Sequence, residues 1–156
     1  MARTKNELEL LEEGLRDFDR SLPMSLLKAR EAVMREFLPS LRSHQLSPEQ
    51  WRVIRALVQE DGLELAEISL RCFLLAPSLS RISQNLEKRN IVERKNVDSD
   101  QRRSKLFLTK EGRKLFETLA PESEQQYLEI ANKFGEEKLD TLYELLSDLV
   151  NVLNKP

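Results

Sequence analysis

Asp100-Gln101-Arg102-Arg103-Ser104-Lys105-Leu106-Phe107-Leu108-Thr109 is the stretch that decides the fold. It starts as a polar, charge-dense tip, becomes a short alternating strand, and ends on a threonine suited to capping a helix. Ile91 to about Asn96 reads as the matching strand, so Val97 to Arg103 is the tip of a hairpin. Immediately upstream, Ala76 to about Arg89 has helical spacing, with Leu79, Ile82 and Leu86 as its apolar stripe. Stepping by 100° puts Pro77, Arg81, Gln84 and Lys88 on the opposite side, with Ser80 and Asn85 at the edges and Ser78 in the first turn. The helix's one acid, Glu87, falls to the side. A solvated helix would normally mix glutamates into that face. A helix with such a face, followed by a basic flap, is the layout of a DNA-reading device.

The rest of the chain is read outward from this unit. Ser47-Pro48-Glu49-Gln50 predicts a helix start with a capping box and a first-turn proline, and Trp51, Ile54, Leu57 and Val58 point inward from it. Gly62 is its expected left-handed stop. A short helix from about Glu64 to Cys72 follows, and Phe73-Leu74-Leu75 turns into the Ala76 helix, giving a helix-turn-helix pair. Asn90 is placed to end that helix in a left-handed conformation.

Before the pair, Leu8, Leu11, Leu15 and Phe18 predict an amphipathic helix, Ser21-Leu22-Pro23 a joint, and Met24 to about Ser43 a second helix that Pro39 kinks near residue 35 rather than ends there. Beyond it, Thr109 opens a long helix to about Phe134, expected to be interrupted at Pro121, with a break at Gly135-Glu136. Leu139, Leu142, Leu146, Leu149 and Leu153 then repeat at 3-4-3-4 spacing, a narrow seam that needs a partner helix.

Composition narrows the function. The 156 residues, 40% hydrophobic and 33% charged, suit one soluble, mainly helical domain with a small β-element. No apolar run approaches the ~20 residues of a membrane span, and the first residues turn acidic without a signal-peptide core, so the expected location is cytoplasmic, with no membrane partner. One cysteine, Cys72, excludes an intrachain disulfide and a cysteine-based zinc cage. One histidine, His44, and no visible nucleophile-base pair or phosphate loop argue against an enzyme; no cofactor or metal is expected.

The net charge of −2 hides an uneven distribution. Between Arg81 and Lys105 eight bases face four acids, a local +4, while Met1 to Arg20 carries −2. Screening confines phosphate attraction to roughly 10 Å, so the local excess matters more than the whole-chain value. Arginine suits guanine, glutamine and asparagine suit adenine, and arginines at a hairpin tip suit a narrow minor groove.

Asp100-x-Arg102, Leu106-x-Leu108-Thr109 and Glu111-Gly112 resemble the wing signature of the MarR family of winged helix-turn-helix regulators, and Ala76-Pro77-Ser78-Leu79-Ser80-Arg81 through Leu86-Glu87 resembles its recognition helix. The element order covers nearly the whole chain. Leu26-Leu27-Lys28-Ala29-Arg30-Glu31-Ala32 and Leu46-Ser47-Pro48-Glu49-Gln50-Trp51-Arg52 are similar to the repressors of homoprotocatechuate (4-hydroxyphenylacetate) degradation operons.

The resemblance implies a single winged-helix domain over 1–156. About 46–109 would form the DNA-binding lobe, and the helices of about 1–45 and 110–156 would interlock in a homodimer. It implies a pseudo-palindromic double-stranded operator, contacted by Pro77, Ser78, Ser80, Arg81, Gln84, Asn85 and Lys88 from the helix and by Arg102 and Arg103 from the wing. Asp100 would anchor Arg102, with Asp98 as the other possible anchor.

It also implies a small phenolic or aromatic acid effector between the lobes, for which the chain offers Ser25, Arg30, His44, Trp51 and Arg55. Each has a plainer reading: Trp51 as core, Arg30 and Arg55 as intersubunit ion pairs, His44 as a helix-end residue. Cys72, on the apolar side of its helix, reads as a buried small residue rather than an oxidant sensor. The competing function is a protein-interaction module that uses the leucine seam with a non-DNA partner.

Overall fold

The computed structural model describes residues 18–96 and 104–154. The order is a short 3₁₀ turn (Phe18–Arg20), α1 (Leu22–Ser43), α2 (Pro48–Gln59), β1 (Leu63–Glu64), α3 (Leu65–Cys72), α4 (Ala76–Lys88), β2 (Val92–Asn96), β3 (Ser104–Leu108), α5 (Lys110–Phe134) and α6 (Glu136–Leu153). The fold is mainly α, with one small antiparallel sheet ordered β1-β3-β2. The chain divides into two compact units, Met1–Glu36 and Phe37–Pro156. The winged-helix elements all lie in the second.

The local chemistry explains the boundaries. Ser47 Oγ accepts from the Gln50 N–H at 3.2 Å, and the Gln50 side chain accepts from the Ser47 N–H at 2.9 Å, closing the expected capping box at the start of α2. Gly62 stops the segment after α2 at φ 76°, and a Cβ there would sit 2.6 Å from the Phe107 ring. Asn90 adopts φ 55° after α4, as its position predicts. Thr109 caps α5 by accepting from Gly112 N–H at 3.0 Å.

Three expectations need correction. The sheet has three strands rather than two, because Leu63 and Glu64 pair with Leu106 and Lys105 on the far edge of β3. Ser21 does separate the 3₁₀ turn from α1, but α1 starts at Leu22 rather than Met24, so Pro23 stands in its first turn, where proline's missing N–H costs nothing. Pro121 does not interrupt the long helix: α5 runs unbroken from Lys110 to Phe134. Pro39 lies inside α1, which continues past it to Ser43 as expected. The amphipathic helix expected from Leu8 falls, apart from Phe18, outside the described residues.

The core sits between α2, α3, α4 and the sheet. Val53, Ile54, Leu57, Leu63, Ile68, Leu79, Leu86 and Leu106 are fully buried there. At ~1.5–3 kcal/mol for each large apolar side chain, this cluster holds the helix pair against the sheet. By contrast, none of the described residues of α6 is buried, and Leu142, Leu145, Leu146, Val150 and Leu153 are exposed on the single protomer. That makes one face of α6 a contiguous exposed apolar surface.

Candidate nucleic-acid interface and effector cavity

The recognition element is α4. Pro77 stands in its first turn, supplying a pre-set φ where no N–H bond is lost. Leu79, Ser83 and Leu86 are buried, and Pro77, Ser78, Ser80, Arg81, Gln84, Asn85 and Lys88 are all exposed. The sequence-derived outer face is therefore the solvent face. Asn85 has a second engagement, since its Oδ1 accepts from Gln50 Nε2 at 2.8 Å.

Two networks fix α4 to its surroundings. Arg94 on β2 reaches back over the helix: its guanidinium donates to Ser83 Oγ at 2.9 Å and to both Glu87 oxygens at 3.3 and 3.4 Å. Ser83, buried although polar, uses its own hydroxyl hydrogen on the Ser80 carbonyl at 3.0 Å. Glu87, the helix's one carboxylate, is thereby neutralised beside the reading face.

At the other end, Arg89 donates to the carbonyls of Gln45 and His44 at 2.8 and 3.1 Å. Thr109 Oγ1 lies 2.6 Å from the Asn90 carbonyl, and Thr109 N–H donates to the Ile91 carbonyl at 3.1 Å. A Cβ on Gly112 would come within 2.1 Å of that same Ile91 oxygen. The Leu-Thr-x-Glu-Gly signature thus has a steric cause: the start of α5 lies directly on the turn that leaves α4.

The basic window is narrower than its count. Arg89 and Arg94 serve structure. Lys95 pairs with Glu93 at 2.8 Å and lies over the Phe107 ring, 4.8 Å from its centroid. Asp98, Asp100, Arg102 and Arg103, the expected wing tip, lie outside the described residues.

The expected effector residues are distributed as follows. Trp51 is buried and stacks on Phe116 of α5, ring centroids 5.6 Å apart. It also forms part of the wall of a cavity shared with Phe37, Leu41, Leu119 and Ser123. That cavity holds only about 10 Å³, the room of one water. Arg55, one turn on from Trp51, is exposed and donates to the Tyr127 hydroxyl at 3.2 Å. Tyr127 in turn packs its ring 4.9 Å from Phe37.

Sequence reasoning missed Tyr127. It lies 72 residues from Arg55, and only its place on the inward stripe of α5 could have marked it. His44, just past α1, places Nδ1 3.1 Å from the Ser40 carbonyl, as a helix-end residue does. Ser25 donates to the Ser21 carbonyl at 3.0 Å and Arg30 pairs with Glu31 at 2.6 Å; both belong to the first compact unit.

Cys72 is buried in the core cluster. Burial pushes its thiol above the ordinary value, and the charges of Arg52 and Arg71 only partly oppose this. That is the opposite of an activated thiolate.

A helix pair whose second helix shows a donor-rich, acid-free face, backed by an antiparallel hairpin, defines a winged helix-turn-helix DNA-binding protein. Comparison with known proteins agrees: residues 44–103 match the MarR family model. The chain is 37% identical over 132 residues to the HTH-type transcriptional regulator FarR of Neisseria gonorrhoeae, covering 85% of this chain and 90% of that one. It is 34% identical over 134 residues to the homoprotocatechuate degradative operon repressor of Escherichia coli, covering 86% and 90%. The crystal structure of NadR in complex with 4-hydroxyphenylacetate superposes with a TM-score of 0.73 at 36% identity, over 86% of this chain and 96% of that one. The chain belongs to the MarR family and is a DNA-binding transcriptional regulator, as its relatives are.

Proposed function

We propose that this regulator acts as a homodimeric repressor of an aromatic-compound catabolism operon. It would bind a pseudo-palindromic duplex and release it when a small phenolic or aromatic acid binds. The exposed face of α4 carries the reading. Ser78, Ser80, Arg81, Gln84 and Lys88 offer the donors and acceptors that base edges require, and the helix's one carboxylate, Glu87, is tied up by Arg94. Arg102 and Arg103 of the wing, with Asp100 as anchor, complete the contact in the adjacent minor groove. Two copies joined through the apolar face of α6 would set two recognition helices on one side of a duplex, a turn apart.

The effector part rests on chemistry and on relatives. An exposed arginine whose partner among the described residues is a phenol (Arg55 with Tyr127) suits a carboxylate, and Trp51 and Phe37 suit a ring. One relative represses a homoprotocatechuate operon, and another has been crystallised with 4-hydroxyphenylacetate.

The test is a gel shift with a duplex selected from a random pool by the purified protein. Arg102→Ala should weaken binding without changing helix content, and affinity should fall steeply with salt as counterions are released. Titrating 4-hydroxyphenylacetate should free the duplex. Unchanged affinity in the variant, or a flat salt response, would count against the reading. The rival reading takes the bareness of α6 as a docking face for a different protein. A clean dimer of the pure chain on size exclusion would argue against it; a monomer would favour it.

A further inference from the structure

Leu70, Phe73 and Leu75 are exposed by 77%, 86% and 78%, although each is large and apolar. They follow one another through the end of α3 and the turn into α4. Phe73 has φ 50° and ψ 52°, a left-handed backbone that a bulky aromatic rarely adopts and that glycine or asparagine would tolerate at lower cost. Stability alone would put a small or polar residue there. Beside these side chains runs an open groove of about 490 Å³, walled by Leu65, Ala66 and Leu70 on α3 and by Ala76 and Leu79 on α4.

The lip is covalently continuous with the reading helix. Leu75 is the residue before its first turn, and one wall of the groove is α4 itself. Whatever duplex α4 enters N-terminus first must lie against the turn that precedes it. A major groove offers one apolar feature, the C5-methyl of thymine. Polar base edges cannot use three leucine- and phenylalanine-sized side chains, whereas a methyl group can be buried among them.

We infer that the lip formed by Leu70, Phe73 and Leu75 reads thymine through its methyl group, adding specificity beside the hydrogen-bonding face of α4. This rests on the DNA-binding reading above, and the experiment separates the two. A duplex is selected from a random pool by the full-length protein, and each thymine is then replaced singly by deoxyuridine, which removes the methyl and leaves every hydrogen bond. Wild-type affinity should drop about fourfold per methyl at one or two positions per half-site.

Phe73→Ala, Leu75→Ala and Leu70→Ala should bind the thymine and deoxyuridine duplexes with equal strength at those positions. All three side chains are exposed, so truncation should leave the fold intact. Phe73→Asn suits the left-handed backbone and guards against a misfolded variant; it too should lose the methyl effect. If no thymine matters to the wild type, or the methyl effect survives all four variants, the inference falls while DNA binding stands. If the variants lose the dimer on size exclusion instead, the lip is a self-association surface and the inference is overturned. If the protein selects no duplex at all, the DNA-binding reading falls and takes this one with it.

Discussion

Replacing Arg94 with alanine should weaken both fold and operator binding, although Arg94 lies on β2 rather than on the reading helix. Its best bond is the 2.9 Å donation to Ser83 Oγ, a charge-assisted contact at a buried atom, worth about 1.5 kcal/mol. The pair with Glu87 is longer, at 3.3 and 3.4 Å, and the two side chains are about 30% exposed, so it adds only about 0.5 kcal/mol. The loss does not grow further, because Ser83 keeps its own bond to the Ser80 carbonyl and is not left orphaned. The expected destabilisation is about 2 kcal/mol, a shift of roughly 1 M in a urea midpoint at an m-value near 2 kcal/mol/M.

Operator affinity should fall about tenfold, because Glu87 then presents an uncompensated charge beside the reading face and β2 is no longer tied to α4. Arg94→Lys should recover only part of this, since an ammonium cannot serve Ser83 and both carboxylate oxygens in one plane. A gel shift at several salt concentrations decides the mechanism. A strut leaves the slope of log K against log salt unchanged, whereas a direct phosphate contact would lower it by about one. An unchanged urea midpoint, or a slope reduced by about one, would refute the reasoning.

Further outcomes follow from other close contacts. Gly112→Ala should destabilise the winged-helix lobe by about 3 kcal/mol or more in a thermal or urea melt, because its Cβ would meet the Ile91 carbonyl at 2.1 Å and backbone on both sides must shift. Cys72 should resist a thiol reagent at neutral pH until the protein unfolds. Its raised native value means the stability linked to the protonated thiol is complete below about pH 8.5, the unfolded value, and is lost as pH rises further; Cys72→Ala should flatten that alkaline decline in urea midpoints. Leu146→Lys, placed in the apolar face of α6, should shift the protein toward monomer on size exclusion while leaving its helix content unchanged.

Much of the lobe is legible in the chain because its boundaries are set locally. Ser47 and Gln50, Gly62, Asn90 and Thr109 each act through atoms within a few residues, and sequence carries that information directly. The failures share a different cause. β1 has two residues, too few for any periodicity, and exists only because Leu106 and Lys105 are there to pair with it. Phe73 breaks the residue preference of its own backbone region, so a rule built on preference cannot find it. Arg94 and Arg89 add to the basic count in the sequence, yet their charges are spent on Glu87 and on the carbonyls of His44 and Gln45. Pro121 sits within a helix that continues past it, since packing along a long helix can outweigh one missing hydrogen bond.

These long-range bonds also suggest how an occupied cavity would reach the operator. The recognition helix is tied to a single seven-residue stretch, His44 to Gln50, by Arg89 at its C-terminal end and by Asn85 one turn earlier. Trp51, the very next residue, is a wall of the cavity. At about 10 Å³ that space cannot admit an aromatic acid, which needs on the order of 300 Å³, so entry requires its walls to part. Phe37 and Leu41 stand on α1, Leu119 and Ser123 on α5, and Trp51 on α2. Of these, Trp51 adjoins the residues that hold α4. Any shift of the α2 start large enough to seat a ring must strain or break the Gln50–Asn85 bond. Breaking that one bond and bending the Arg89 contacts would account for a coupling of about 1–3 kcal/mol, a five- to 150-fold change in operator affinity. A cavity whose widening moves the start of α2 would give its occupant different affinities for the two arrangements, and that difference is the condition for any ligand to shift DNA binding.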